Sequence, residues 1–241
     1  MWTVIRKEWN QFFAGWMGYL TIAVFLLVSG SMIFFVPETN LLDGGYATLD
    51  SFFELAPLLL LILVPAITMR SFSDEYRQGT FELLRTLPVN HIQLVVGKFI
   101  STLLIVLVAL SGTLVYVFSM EYLSLGGMDV GEVLGSYIGL ILLTAVYIAI
   151  GIYISSITLN ALASFMLTAF LCFMSYYVFS FFTTLSIAGE NIGYFISLMG
   201  VKYHYENISK GYIAWNDLVY FISMSSLFIY QSILYISQKK N

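Results

Sequence analysis

The chain has 241 residues, of which 59% are hydrophobic, 17% aromatic and only 10% charged. Water-soluble domains carry about 25% charged residues, so a water-soluble enzyme is excluded, and the aromatic content excludes disorder. The bilayer is the solvent for most of the chain, and the net charge of −4 informs through its placement rather than its sum.

The first predicted element covers residues 1–16. Trp2, Ile5, Trp9, Phe12, Phe13 and Trp16 recur at three- and four-residue spacing, with Arg6, Lys7, Glu8, Asn10 and Gln11 between them. This spacing predicts an amphipathic helix with a tryptophan-rich face. Such a helix lies in the headgroup plane with its rings down, or packs on its own protein. Both placements make an interfacial elbow that leads into the membrane.

Six apolar segments follow, about Gly18–Val36, Leu55–Met69, Phe99–Phe118, Leu134–Ile154, Ala161–Phe182 and Leu218–Ile236. A spanning helix needs about 20 residues, so the second is short unless its flanks contribute. The first is too long for a signal-peptide core and no small-residue cleavage site follows it, so it is expected to be retained. In the fourth, Gly135 and Gly139 form a G-x-x-x-G that permits close helix approach. The fifth is lined with aromatics from Phe165 to Phe182, a face for lipid contact or for guiding a lipid-like substrate. Its Cys172 is the single cysteine and has no partner for an internal disulfide.

Between the fifth and sixth segments, residues 183–217 form a longer outer region. The stretch Ile192–Val201 within it is too short to span and reads as a re-entrant or interfacial helix.

Orientation follows from the positive-inside rule. With the N-terminus in the cytoplasm, six crossings return the C-terminus there. Eight of the ten basic residues then lie inside, against four of the fourteen acidic ones, which gives +4 inside and −8 outside. The excluded functions are as informative. No charged residue sits in the middle of a span as drawn, which argues against ion-driven transport. No H-E-x-x-H is present, His91 and His204 fall on opposite sides, and no metal spacing is found. Gly97-Lys98 is followed by Phe99 and lacks the upstream glycine of a P-loop. Any uphill transport therefore draws its energy from a partner.

The cytoplasmic segment 71–90 carries the functional signal. Ser71 with Asp74 forms a capping-box pattern, Gly79 interrupts, and Thr80 is placed to cap a second short helix. Phe81, Leu83, Leu84 and Leu87 give that helix an apolar surface, Pro88 ends it, and Asn90 is placed to cap the third span. The segment is a solvated connector resting on the membrane, or a docking element whose apolar knobs enter a cleft on a soluble partner.

The residues Glu75, Gly79-Thr80, Glu82-Leu83-Leu84, Thr86 and Pro88, followed by Gly97-Lys98, resemble the cytoplasmic loop of ABC-2-type permeases. The stretches PAITMRSFSDEYRQGTFELL and GYLTIAVFLL are similar to gliding-motility-associated permeases of that family. The resemblance implies an all-α integral membrane protein in which residues 1–241 form one transmembrane domain. It implies six transmembrane helices, an N-terminal interfacial elbow and a cytoplasmic coupling helix between spans two and three. Two permease chains, identical or different, would pair in a bacterial cytoplasmic (inner) membrane and present these elements to an ABC ATPase. ATP and Mg would be bound by that ATPase; this chain would hold no catalytic site, metal or cofactor, and no nucleic acid. Docking is expected of Arg77, Phe81, Glu82, Leu83, Leu84 and Arg85, and interfacial anchoring of Trp2, Ile5, Trp9, Phe12 and Trp16. The substrate would be exported. The alternative is a non-transporting anchor that docks a cytoplasmic partner.

Overall fold

The computed structural model describes residues 1–35, 49–81, 90–123, 129–184 and 196–238. Every regular element among them is helical. Helix α1 (Trp2–Ala14) ends where Gly15 is extended, and α2 (Trp16–Phe35) begins at once. Then come α3 (Asp50–Thr68), the short α4 (Ser73–Arg77), α5 (His91–Leu123) and α6 (Val130–Ile157). The fifth span is α7 (Ala161–Phe173), a π-helical turn (Met174–Val178) and α8 (Phe179–Thr184). Helix α9 (Val201–Ser209) precedes the last, α10 (Trp215–Gln238).

Six of these stretches are long and apolar enough to cross a membrane: Trp16–Phe35, Asp50–Arg77, His91–Tyr122, Val130–Ile157, Ala161–Phe182 and Trp215–Gln238. They match the six expected from hydropathy. The third starts at His91 rather than Phe99, and the fourth at Val130 rather than Leu134. The reason is geometric. The 33 residues of α5 are about 50 Å long at ~1.5 Å per residue, well beyond the ~30 Å hydrocarbon layer. Polar residues ride on the projecting ends. Caps fix two of the starts: Asp129 accepts from the amides of Gly131 and Glu132, and Asn160 from that of Leu162.

Helix α6 is the axle of the bundle. Its spanning stretch is 72% buried, against 22% for α2, the fifth span and α10, and it packs against α3, α5, α7, α9 and α10. The G-x-x-x-G of α6 receives the short helix α9 rather than another span. A Cβ on Gly135 would lie 2.7 Å from the Ile208 carbonyl oxygen, and one on Gly139 would lie 3.3 Å from the Tyr205 ring. Ser136 completes the contact by donating to the Ser209 carbonyl at 3.0 Å.

Of Ile192–Val201, expected as a re-entrant or interfacial helix, residues 192–195 lie outside the described residues, and 196–199 form only a short helical turn closed by the Met199 amide donating to the Ile196 carbonyl at 3.1 Å. The helix seen in this region is α9, which starts at Val201 and buries Val201, His204, Tyr205 and Ile208. Two bonds hold it. Asp217 of α10 lies 2.6 Å from Nδ1 of His204, whose Nε2 donates to the Leu198 carbonyl at 2.9 Å. The Tyr205 hydroxyl donates to the Phe53 carbonyl at 2.7 Å. That carbonyl is free because the residue four positions on, Pro57, has no N–H to offer it.

Candidate functional site

The features that set this chain apart from a plain helical bundle meet at the end that carries its N-terminus. Beyond α3 the backbone turns through residues 69–72, forms α4, and reverses at Gly79, whose φ of 68° suits a residue without Cβ. The expected Ser71–Asp74 capping box does not form. Phe72 occupies the N-cap of α4 and supplies no side-chain cap. The amides of Phe72 and Ser73 instead donate to Oγ of Ser155 at 3.0 and 3.3 Å, and that hydroxyl donates to the Met69 carbonyl at 3.2 Å. The end of α6 lies against α4, so the cap is supplied across the fold and the local one is not needed. The Thr80 hydroxyl donates to the Glu75 carbonyl at 3.4 Å, and the amides it is expected to cap lie outside the described residues.

One charged junction ties three elements together. Lys98, near the start of α5, is 1% exposed. Its ammonium donates to Glu8 Oε1 at 2.7 Å, to the Ser71 carbonyl at 2.6 Å and to Glu75 Oε1 at 2.9 Å. Lys7 adds a second cation on Glu75 Oε1 at 3.0 Å. The Phe72 ring covers the Lys98 ammonium at 4.8 Å, in cation–π contact. A buried charge is tolerated only when paired and fully hydrogen-bonded, and here three oxygens match the three donors of the ammonium. The elbow, the segment after α3 and the head of α5 therefore share one polar knot.

The elbow helix packs on its own protein. Val4 and Ile5 are buried. Val4 sits over Gly97, where a Cβ would come within 3.0 Å of its side chain, and Ser101 donates to the Ile5 carbonyl at 3.4 Å. Trp2 and Trp16 are exposed, Trp9 and Phe12 half-buried. Ile5 thus faces inward, while the neighbouring tryptophan stripe stays wholly or partly exposed. Trp16 lies past the break at Gly15 and opens α2.

Of the residues expected to dock a partner, Arg77 is exposed. Phe81 is buried, edge-on to Tyr76 with ring centroids 4.7 Å apart; it faces its own chain rather than standing out as a knob. Glu82, Leu83, Leu84 and Arg85 lie outside the described residues. The structure does bring Glu75 and Gly97-Lys98 together, which the sequence pattern lists only as separated residues. Lys7, Glu8 and Ser155 were not foreseen. For Glu8 a signal existed, since it interrupts the apolar face of α1 between Ile5 and Trp9. For Ser155 none did.

A family model described as "ABC-2 family transporter protein" matches residues 2–237. No curated protein matches the chain.

Proposed function

The chain belongs to the ABC-2 transporter family as a membrane permease component of an ABC transporter, and on that premise we propose that it exports its substrate with energy from a separate ABC ATPase. The ATPase binds the ATP and Mg. Two permease chains, identical or different, form the pathway, and both termini face the cytoplasm of a bacterial inner membrane. The placement of basic residues supports this orientation. The similarity of residues 65–84 and 18–27 to gliding-motility-associated permeases supports gliding as the setting in which export is used.

The observation that carries the reading is the Lys98 knot. A coupling segment must convert a push from outside into movement of the spans. Here Lys98 joins the segment after α3 to the elbow and to α5, and Ser155 joins the same segment to the axle helix. Residues 71–90 provide the surface that the ATPase engages, with Leu83 and Leu84 as apolar contacts and Arg77, Glu82 and Arg85 at the rim. Rim charges set orientation and on-rate more than affinity.

The test is reconstitution with the cognate ATPase in proteoliposomes. Hydrolysis should change on adding the permease, and Leu84→Asp should release the ATPase while leaving the membrane domain folded. Co-purification that survives Leu84→Asp overturns the docking surface. An unchanged hydrolysis rate with no substrate movement favours the anchor reading instead.

A further inference from the structure

A cavity of about 450 Å³ opens between the elbow, the first turns of α2, the end of α3 and the head of α5. That is within the ~300–1,000 Å³ range of small-molecule sites. Its lining is graded along the bundle axis. Toward the N-terminal end it carries Glu8, Arg70 and Asp74; toward the bundle interior it carries Thr21, Ile67 and Ile105. Each contributing helix runs in the sense that makes this gradient. The chain passes from Ile67 in α3 to Arg70 in the turn beyond it, and α5 reaches Ile105 only after its charged head. Trp16 and Met17 stand at the mouth, both exposed, and tryptophan marks the membrane–water interface. A site with a charged lip at headgroup level and an apolar floor below it fits an amphiphile.

The charges narrow the class. Among the described residues the Arg70 guanidinium meets one carboxylate, Asp74, at 3.9 Å, beyond hydrogen-bond length. A phosphate is the natural partner for that planar donor set. Yet the lip also presents the carboxylate of Asp74, which a purely anionic headgroup would meet with like charge, whereas Glu8 is already held by Lys98. A headgroup bearing both phosphate and ammonium satisfies both signs. The cavity has room for the headgroup and the glycerol but not for acyl chains. Those have a path outside it: Met17, Leu20, Val24 and Leu27 continue up α2 as an exposed apolar stripe at helical spacing.

We propose that this cavity binds a zwitterionic phospholipid, with its phosphate on Arg70, its ammonium on Asp74 and its chains along α2. A lipid seated there would brace the elbow against α3, beside the Lys98 knot. The inference needs only that the chain is embedded in a membrane; it is independent of transport and of the ATPase.

Native mass spectrometry of the detergent-solubilised chain tests it, with phosphatidylethanolamine, phosphatidylglycerol, diacylglycerol and free phosphoethanolamine as probes. Phosphatidylethanolamine should be retained most tightly. Arg70→Gln, at an exposed position, should weaken that retention about tenfold or more, as expected for a lost charge-assisted hydrogen bond. Ala66→Phe, which fills the floor, should weaken it as well, and both variants should keep the wild-type elution volume. Phosphatidylethanolamine binding no tighter than diacylglycerol, or unaffected by Arg70→Gln, overturns the site. Equal or tighter binding of phosphatidylglycerol overturns the zwitterionic assignment. Equal binding of phosphoethanolamine overturns the lipid in favour of a soluble phosphate ester. None of these readouts involves ATP hydrolysis, so failure here leaves the transport reading standing, and failure of that reading leaves this one testable.

Discussion

Lys98 and Glu75 lie 23 positions apart in sequence and 2.9 Å apart in space, with Lys98 buried. The pair explains why a mostly apolar helix carries a lysine in its third turn. It also explains why a carboxylate follows the second span. Each residue alone would be an expensive charge at the edge of the bilayer. Together with Glu8 and the Ser71 carbonyl they form a knot that uses all three donors of the ammonium, and its removal is expected to cost stability.

Lys98→Met keeps the bulk of the side chain and deletes its charge. Glu8 and Glu75 then lose their shared counter-ion, and breaking one side of a buried pair costs about 3–5 kcal/mol. A clear drop in the thermal midpoint of the detergent-solubilised chain is expected. Combining Lys98→Met with Glu8→Gln and Glu75→Gln should recover much of the loss, because no uncompensated carboxylate remains. A wild-type midpoint for the single variant would show that the knot contributes little.

Ser155→Ala removes the acceptor for the amides of Phe72 and Ser73 and the donor to the Met69 carbonyl. Leaving a buried backbone group unpaired costs about 1–3 kcal/mol. Hydrogen exchange should therefore speed up over residues 69–77 in Ser155→Ala. Ser155→Thr keeps the hydroxyl and should exchange like wild type. Equal protection in both variants would mean that the end of α6 does not hold the segment.

The sequence made the bundle legible because its signals are one-dimensional. Runs of apolar residues mark the spans, and basic residues mark one side. The elbow was legible from its tryptophan spacing, although spacing could not say that Ile5 and the tryptophans face different neighbours. Contacts between distant residues were not legible. The capping pattern at Ser71 and Asp74 is locally sound, yet a serine from another helix replaces it. Gly135 and Gly139 were readable as a close-approach surface, but hydropathy drew attention to long helices. The nine-residue α9 that occupies the surface is too short and too polar to register as a candidate.

The two glycines facing α9 should respond differently to alanine. A Cβ at Gly135 meets backbone atoms, the Ile208 oxygen at 2.7 Å and Gly211 Cα at 2.9 Å. Backbone cannot yield without moving α9, and such overpacking costs about 1–3 kcal/mol. At Gly139 the nearest atoms belong to the Tyr205 ring at 3.3 Å, which can shift slightly. Gly135→Ala should lower the thermal midpoint and Gly139→Ala should change it far less. The reverse order would contradict the packing of α9 on α6.

Pro57 and Tyr205 form a compensating pair across two helices. Proline in the second span removes the amide that would bond the Phe53 carbonyl, and the Tyr205 hydroxyl takes that carbonyl at 2.7 Å. Tyr205→Phe strands a buried acceptor and should cost about 1–3 kcal/mol. Pro57→Ala supplies an N–H four residues beyond Phe53, which closes the bond within α3. In that background the tyrosine hydroxyl is redundant, so Tyr205→Phe should cost little. The two substitutions form a double-mutant cycle with a coupling energy on the order of 1 kcal/mol or more, measured by thermal or denaturant unfolding in detergent. If Tyr205→Phe costs the same with proline or alanine at position 57, the hydroxyl is not compensating for the missing amide. The docking of α9 must then rest on its apolar face, on the His204–Asp217 bond and on the bond from Ser136 to the Ser209 carbonyl.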